Sequence, residues 1–200
     1  MEYAEHIDLL FLLFEKYQPA KESLSAKLKD FLSRVVKERT YRKNHLLLNE
    51  HDVPQYAWYI VKGSARVYFY DQQTAREITS WFWYERELML SLRSFFRQKE
   101  SGECIELLEE STLLLISAGD IEIMINQFPE YRFFERALME EYQSRISDHH
   151  HDMVRKDSRF KFDKLMHAHK EIFNLAYLKD IACFLNIHPA TLSHLRSGKK

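Results

Sequence analysis

From Leu46 to Ile116 the apolar residues arrive in six short runs: Leu46 to Leu48, Tyr56 to Val61, Ala65 to Tyr70, Ile78 to Trp83, Ile105 to Leu108 and Leu113 to Ile116. They are rich in aliphatic, β-branched and aromatic side chains, which suit a pleated, half-buried surface. Strands this short cannot each hide an apolar face alone. Joined by tight turns, they have to close on one another as a sandwich or a barrel-like, jelly-roll-like double-stranded roll. Lys62-Gly63-Ser64 fits a hairpin turn, with Gly63 free to take a positive φ. Asp71 to Thr74 fits the next turn. Residues 84–101 interrupt the pattern with a helical or irregular stretch, Glu87 to Phe96.

Helical periods flank this β region, so the class is α+β. Residues 5–16 and 22–37 repeat their apolar positions near every 3.6 residues, with Pro19 breaking the two apart. Ser117 is placed to cap a helix over Ala118 to Gln127, with Asp120 completing the capping box in acid form. Phe128-Pro129-Glu130 restarts a helix that runs to about Asp152, proline being tolerated in a first turn. On it Tyr131, Phe134, Leu138, Tyr142 and Ile146 share one side, and Phe133 and Ala137 widen the stripe. So broad a face is expected to bury against its own roll and a second copy of the chain. Phe134, Leu138, Tyr142 and Ile146 are then the expected dimer interface, as a packed helix pair, since the heptad is imperfect. Ser158 is placed to cap a further helix from Arg159 to about Asn174, with Phe162, Leu165, Met166, His169, Ile172 and Phe173 inward.

The stretch from Tyr177 to Ser197, YLKDIACFLNIHPATLSHLRS, holds two short helical patterns and a tight corner. Lys179 to Leu185 turns Ile181, Ala182 and Leu185 inward. Asn186 suits the left-handed conformation that ends a helix. Ile187 is the corner residue. Pro189 starts the second helix, with His188 as its cap and Leu192 and Leu195 inward. Ala190, Thr191, Ser193, His194 and Arg196 are left outward or sideways. This is helix-turn-helix geometry, whose outer helix can enter a major groove. A hairpin that merely finishes a core has the same spacing.

Charge favours the DNA reading. Residues 151–200 carry ten Lys and Arg against five Asp and Glu, whereas the first 150 carry nineteen against twenty-five. An acidic body with a basic end suits a partner that is polyanionic at one end only. Lys199 and Lys200 are candidate phosphate contacts.

Other chemistry finds little support. The two cysteines, Cys104 and Cys183, make neither a disulfide framework nor a thiolate metal cluster. His149, His150 and His151 point about 100° apart on a helix, so they cannot all chelate one ion. A cupin-like metal barrel needs histidines on its strands, and none occurs from Tyr56 to Leu115. No catalytic residue, metal ligand or cofactor is therefore assigned. Ile7 to Phe14 is too short to span a bilayer and lacks a secretory start, so a cytoplasmic protein without a membrane partner is expected.

The helix-turn-helix stretch resembles that of the Crp/Fnr-type transcriptional regulators, above all the compact branch common in Bacteroidetes. YIVKGSARVYFYD (Tyr59 to Asp71), REITSWFWYE (Arg76 to Glu85), ECIELLEES (Glu103 to Ser111) and LLLISAGDIEIMINQFPEY (Leu113 to Tyr131) follow in the order of that branch. The likeness covers roughly residues 40–197. It implies a cyclic-nucleotide-binding-like roll with N-terminal helices over 1–128, a dimerisation helix over 129–152, and a helix-turn-helix domain of winged-helix type over 153–200. With four residues after Arg196, any wing strand is expected before the motif, around Asn174 to Leu178. The implied partners are double-stranded DNA, a second copy, RNA polymerase and an effector of unknown identity.

The departures sharpen this. Members that bind cyclic nucleotides carry Gly-Glu-Leu and then Arg-Ser or Arg-Thr. Here those stretches read Arg86-Glu87-Leu88 and Glu103-Cys104, making Glu87, Leu88, Glu103 and Cys104 the candidate pocket residues. A carboxylate at Glu103, where the resemblance places an arginine, repels a phosphate, so cyclic AMP is not the expected effector. On the recognition helix, Ala190 and His194 stand where a glutamate and an arginine usually read bases. The expected function is a dimeric, sequence-specific regulator contacting DNA through His188, Ala190, Thr191, Ser193, His194, Arg196, Lys199 and Lys200. The alternative is a sensing or scaffold protein of this fold whose specific DNA binding is weak or lost.

Overall fold

The computed structural model describes residues 2–19 and 23–198. Two helices, α1 (Glu2–Lys16) and α2 (Ala26–Val35), lead into β1 (Lys37–Tyr41), β2 (Leu46–Leu48), β3 (Tyr56–Lys62), β4 (Ala65–Tyr70), β5 (Glu77–Trp83), β6 (Leu88–Met89), β7 (Cys104–Leu107) and β8 (Ser111–Ser117). The chain continues as α3 (Ala118–Gln127), α4 (Pro129–Arg155), α5 (Ser158–His169), α6 (Ile172–Leu175), α7 (Leu178–Phe184) and α8 (Pro189–Arg196).

The strands form two antiparallel four-stranded sheets, in the orders β1-β8-β3-β6 and β2-β7-β4-β5. Central β8 pairs with both β1 and β3, and its Leu113 to Ile116 are buried. Asp71 closes the β4–β5 hairpin by accepting from the amides of Gln73 and Thr74 at 3.1 and 2.7 Å. Lys62-Gly63-Ser64 is not a hairpin, because β3 and β4 lie in different sheets. Gly63 is where the chain crosses between them. Its φ is 114°, and a Cβ there would collide with Ser111.

The elements depart from the sequence reading at further places. The helix read over 22–37 stops when Val36 turns extended, and residues 37–41, for which no strand was expected, form an edge strand. Of the two readings of Glu87 to Phe96, the irregular one holds. Leu88 and Met89 pair with Tyr59 and Trp58, and turns then lead Leu90 and Phe95 into the core. The helix expected over 159–174 breaks at Lys170–Glu171, which lets Ile172 and Phe173 both turn inward. Asp157, not Ser158, caps α5, its carboxylate accepting from the Phe160 amide at 2.8 Å. Ser117 caps α3 as read, its Oγ accepting from the Asp120 amide at 3.1 Å, but the Asp120 carboxylate accepts from the Ser117 hydroxyl and not from its amide, so the reciprocal half of the capping box is not made.

One core joins α1 to α4 with the inner faces of both sheets. Phe134 stacks on Phe14 at 3.9 Å with planes 7° apart. Tyr142 donates its O–H to the Leu88 carbonyl at 2.6 Å and packs against Trp83 at 5.2 Å. Phe134, Leu138 and Tyr142 are therefore covered by their own chain and offer no surface to a second copy. Of the four residues expected at a dimer interface only Ile146 is exposed, and Phe133 and Val154 are the other large apolar side chains that α4 shows to solvent.

The C-terminal helices build a second core around Phe162, Leu165, Phe173, Ile181 and Leu192. Two residues of the roll, Phe82 and Leu108, belong to it. The place where a brief wing strand had room holds α6 and two extended residues, Ala176 and Tyr177. No described helix is long and apolar enough to cross a membrane.

Candidate effector cavity and nucleic-acid interface

A cavity of about 470 Å³ lies between β5, the segment Leu90 to Arg93 and the C-terminal half of α4. Its position follows from a β-bulge. Tyr68 pairs with Thr79 and Val67 with Trp81, so Ser80 is an extra residue. The bulge separates Thr79 from Trp81 and Trp83, which line the cavity as Thr79 does not. Leu90, Leu92, Tyr142 and Ile146 complete most of the apolar wall.

Of the four expected pocket residues only Glu103 lines this space. It accepts from Ser91 Oγ at 2.8 Å. Burial pushes its carboxyl above the usual range, and the Ser91 bond and the nearby Arg93 charge partly offset that. Leu88 is spent on the β3 pairing and the core. Cys104 is buried and accepts from the Glu50 amide at 3.3 Å, and burial pushes its thiol up. Glu87 is drawn away from the cavity by a cation on α4: it pairs with Arg145 Nη2 at 2.7 Å and accepts from the Tyr84 amide at 3.0 Å.

Arg145 was not legible as a site residue, yet it sits at the centre of this region. Its guanidinium lies 5.4 Å from the Trp81 ring, 6.0 Å from Trp83 and 5.7 Å from Tyr142. The available signal was a cation one turn after Tyr142, on the inward side of an apolar stripe. Each cavity arginine thus has a carboxylate neighbour: Glu87 for Arg145, Glu103 for Arg93.

A second cavity, of about 230 Å³, lies behind the first, between the roll, α4, α5 and α7. Trp81, Arg145, His149 and Met153 line both. Here Tyr84 stacks on His169 at 3.5 Å. Burial lowers the pKa of both His149 and His169. The three histidines of α4 diverge: His149 packs inward, His150 reaches the larger cavity and His151 is exposed. Among the described residues no group of three or more His, Cys, Asp or Glu is placed to hold a metal.

Arg66 of β4 ties the C-terminal helices to the roll. It is buried and pairs with Glu106 at 2.7 Å and Glu77 at 2.8 Å. Its Nη1 also lies 3.3 Å from Asp180 Oδ1 of α7, without hydrogen-bond geometry. Burial pushes Asp180 above the usual carboxylate range, and Arg66 opposes this. Neither residue stood out in the sequence, since they lie 114 positions apart and each reads as an ordinary surface charge.

The outer helix of the C-terminal pair is built as its residues suggest. Asn186 takes φ 48°, and the Ile187 amide donates to the Ala182 carbonyl at 3.0 Å. Ala182, fully buried, lets α8 cross α7 closely, and Leu192 plugs the junction. His188 Nδ1 accepts from the Ala190 amide at 3.2 Å, so this histidine caps α8. Ala190, Ser193, His194 and Arg196 are exposed and Thr191 is half-buried. The Arg196 guanidinium lies 5.8 Å from the Phe173 ring. Lys199 and Lys200 lie outside the described residues.

No family model matches the chain, and no curated protein does. Solved structures do. A transcriptional regulator of the crp/fnr family from Eubacterium rectale aligns with TM-score 0.68 and 17% identity, over 92% of this chain and 87% of that one. FixK2 from Bradyrhizobium japonicum aligns with TM-score 0.67 and 18% identity, over 82% and 84%. The fold is that of the Crp/Fnr-type regulators. The c-di-GMP-responsive global regulator CLP of Xanthomonas campestris shares it at 10% identity and TM-score 0.65, over 87% and 91%. Within the Crp/Fnr-type fold, the cavity lies between the roll and α4, and α7–α8 form the helix-turn-helix.

Proposed function

We propose that this chain is a dimeric, sequence-specific DNA-binding transcriptional regulator of the cytoplasm, controlled by a small effector in the roll and not by cyclic AMP. The observation that carries the reading is α8. Its apolar side is anchored on α7 through Leu192, while Ala190, Ser193, His194 and Arg196 face solvent on a short helix of a size that fits a major groove. The likeness to regulators of known fold supports the same reading. The roll with its N-terminal helices (1–128) senses, α4 (129–152) pairs two copies, and 153–200 binds DNA and leaves a surface for RNA polymerase. The order of the quoted motifs supports membership of the compact Bacteroidetes-like branch.

The direct test is selection of binding sites from a random DNA library, followed by anisotropy titration of the winner at low and physiological salt. A two-fold symmetric site, bound at least about a thousandfold tighter than scrambled DNA, is expected. Weak, salt-sensitive, sequence-blind binding would turn the reading to its alternative, a sensor or scaffold of the same fold. One observation favours that alternative: among the described residues of α8, Arg196 is the one permanent cation.

A further inference from the structure

We infer that the larger cavity takes an uncharged, largely apolar molecule and discriminates against nucleotides and other anions. The inference rests on the regulator reading only in calling that molecule an effector.

Two observations carry it. The volume, about 470 Å³, falls within the range of small-molecule sites, roughly 300–1,000 Å³. Most of its wall is aromatic or aliphatic, from Trp81 and Trp83 on one side to Leu92 and Ile146 on the other. Transfer of apolar surface into such a wall is favourable without any charge on the guest.

Charge is the second observation. An anion needs a cation or a run of free amides to replace its water. Arg145 already holds Glu87 at 2.7 Å and lies against aromatic faces. Arg93 is exposed at the cavity wall, and its charge acts on the carboxyl of Glu103, which lines the same space. Ionised, Glu103 repels an anion; protonated, it offers one hydrogen bond and no charge. His149 is half-buried and held toward its neutral form. A phosphate reaching Arg145 would have to displace its ion pair with Glu87.

A matched pair of fluorescent probes tests this on the full chain. N-phenyl-naphthylamine is uncharged. Anilino-naphthalenesulfonate has the same rings and adds a sulfonate. The expected result is saturable binding of the uncharged probe at one site per chain, with the sulfonate roughly tenfold weaker or worse. Cyclic AMP should not displace the uncharged probe. Ile146→Arg, at an exposed position of the wall, should weaken the uncharged probe and strengthen the sulfonate, with unfolding temperature confirming that the variant folds. Glu103→Gln should shift the preference in the same direction. Equal binding of the two probes, preference for the sulfonate in the wild type, displacement by cyclic AMP, or indifference to both substitutions would each overturn the inference. So would absence of binding, which would mean the cavity is filled by a second copy or closes in solution. If the probes fail while library selection yields a symmetric site, the ligand class falls and the regulator reading stands. The reverse pattern sinks the regulator reading and leaves the cavity's selectivity intact.

Discussion

His149 of α4 and Phe184 of α7 stack at 4.4 Å with ring planes 17° apart. Trp81 of β5 meets both edge-on, at 5.6 and 6.1 Å. Trp81 and His149 are also walls of the larger cavity. The cavity is therefore separated from the first helix of the helix-turn-helix by one layer of aromatic rings. A guest that shifts Trp81 bears directly on Phe184, since packed interiors shift between discrete arrangements rather than deform smoothly.

Removing the far ring of this layer should loosen the C-terminal pair without touching the roll. Phe184→Ala deletes a half-buried side chain that packs on Phe82, Trp81 and His149. A cost of about 2 kcal/mol is expected, below the roughly 3–5 kcal/mol for a fully buried aromatic ring because this one is partly exposed. Hydrogen exchange should show α7 and α8 amides losing roughly tenfold or more of their protection, with β8 amides unchanged. Uniform loss across both cores would mean that the two regions unfold as one unit and that the layer is not a local hinge.

The same histidine sets a pH dependence. Burial holds His149 below its ordinary value of 6.5; Asp152 opposes this, and Lys164 and Lys161 reinforce it. A base whose folded pKa is depressed contributes nothing above the unfolded value. As pH falls through about 6.5 and on through the folded pKa, the unfolded chain takes up the proton more readily, and stability is lost. His149→Phe keeps a ring on Phe184 but has no proton to gain. Its unfolding free energy relative to wild type should therefore rise between about pH 7.5 and about pH 5.5. Taking the difference cancels the buried acids Glu87, Glu103 and Asp180, whose raised values act in the opposite sense. A constant difference across that range would show that His149 is not buried in solution.

The strands could be read because their apolar runs are bounded by polar turns. Leu46–Leu48 and Ala65–Tyr70 have the limits that the runs suggest, and the long helix starts at Pro129 where its proline fits a first turn. β1 was illegible because Lys-Glu-Arg-Thr-Tyr carries no alternation; it is a strand only because β8 lies beside it. The break at Lys170–Glu171 has no proline or glycine to announce it, and the docking of Ile172 and Phe173 imposes it. On α4 the period showed an apolar stripe but not what covers it, and Phe14 of α1, far away in sequence, takes the place assigned to a second copy. The site was legible only at α8, where cap, corner and plug are local. The cavity is assembled from five separated segments, one of them bulged, so Glu103 alone was found.

The buried charges between roll and α7 should respond asymmetrically. One guanidinium, Arg66, serves Glu77, Glu106 and Asp180. Arg66→Met leaves three carboxylates with no cation, and about 3–5 kcal/mol of stability should be lost. Asp180→Asn removes a charge that burial already disfavours and whose contact with Arg66 lacks hydrogen-bond geometry. Its cost should stay below about 1 kcal/mol. Urea denaturation of both variants decides: equal losses would show that Asp180 is an essential partner of Arg66 rather than a tolerated neighbour.

The last expectation concerns the selected DNA site. His194 is exposed on α8 and offers a single hydrogen bond where an arginine would offer a bidentate fork. If it reads a base, His194→Ala should relax preference at one position of each half-site, for about 1 kcal/mol or less per contact. Arg196 is placed at the end of the helix, over the Phe173 ring, where a phosphate contact is the natural role. Arg196→Ala should then weaken all sequences alike and reduce the salt dependence by about one counterion per chain. The two variants separate reading from holding. An unchanged site profile for His194→Ala removes it from base recognition. A sequence-selective loss for Arg196→Ala moves that role to Arg196, and Ala190 is then left with no base contact beyond a thymine methyl.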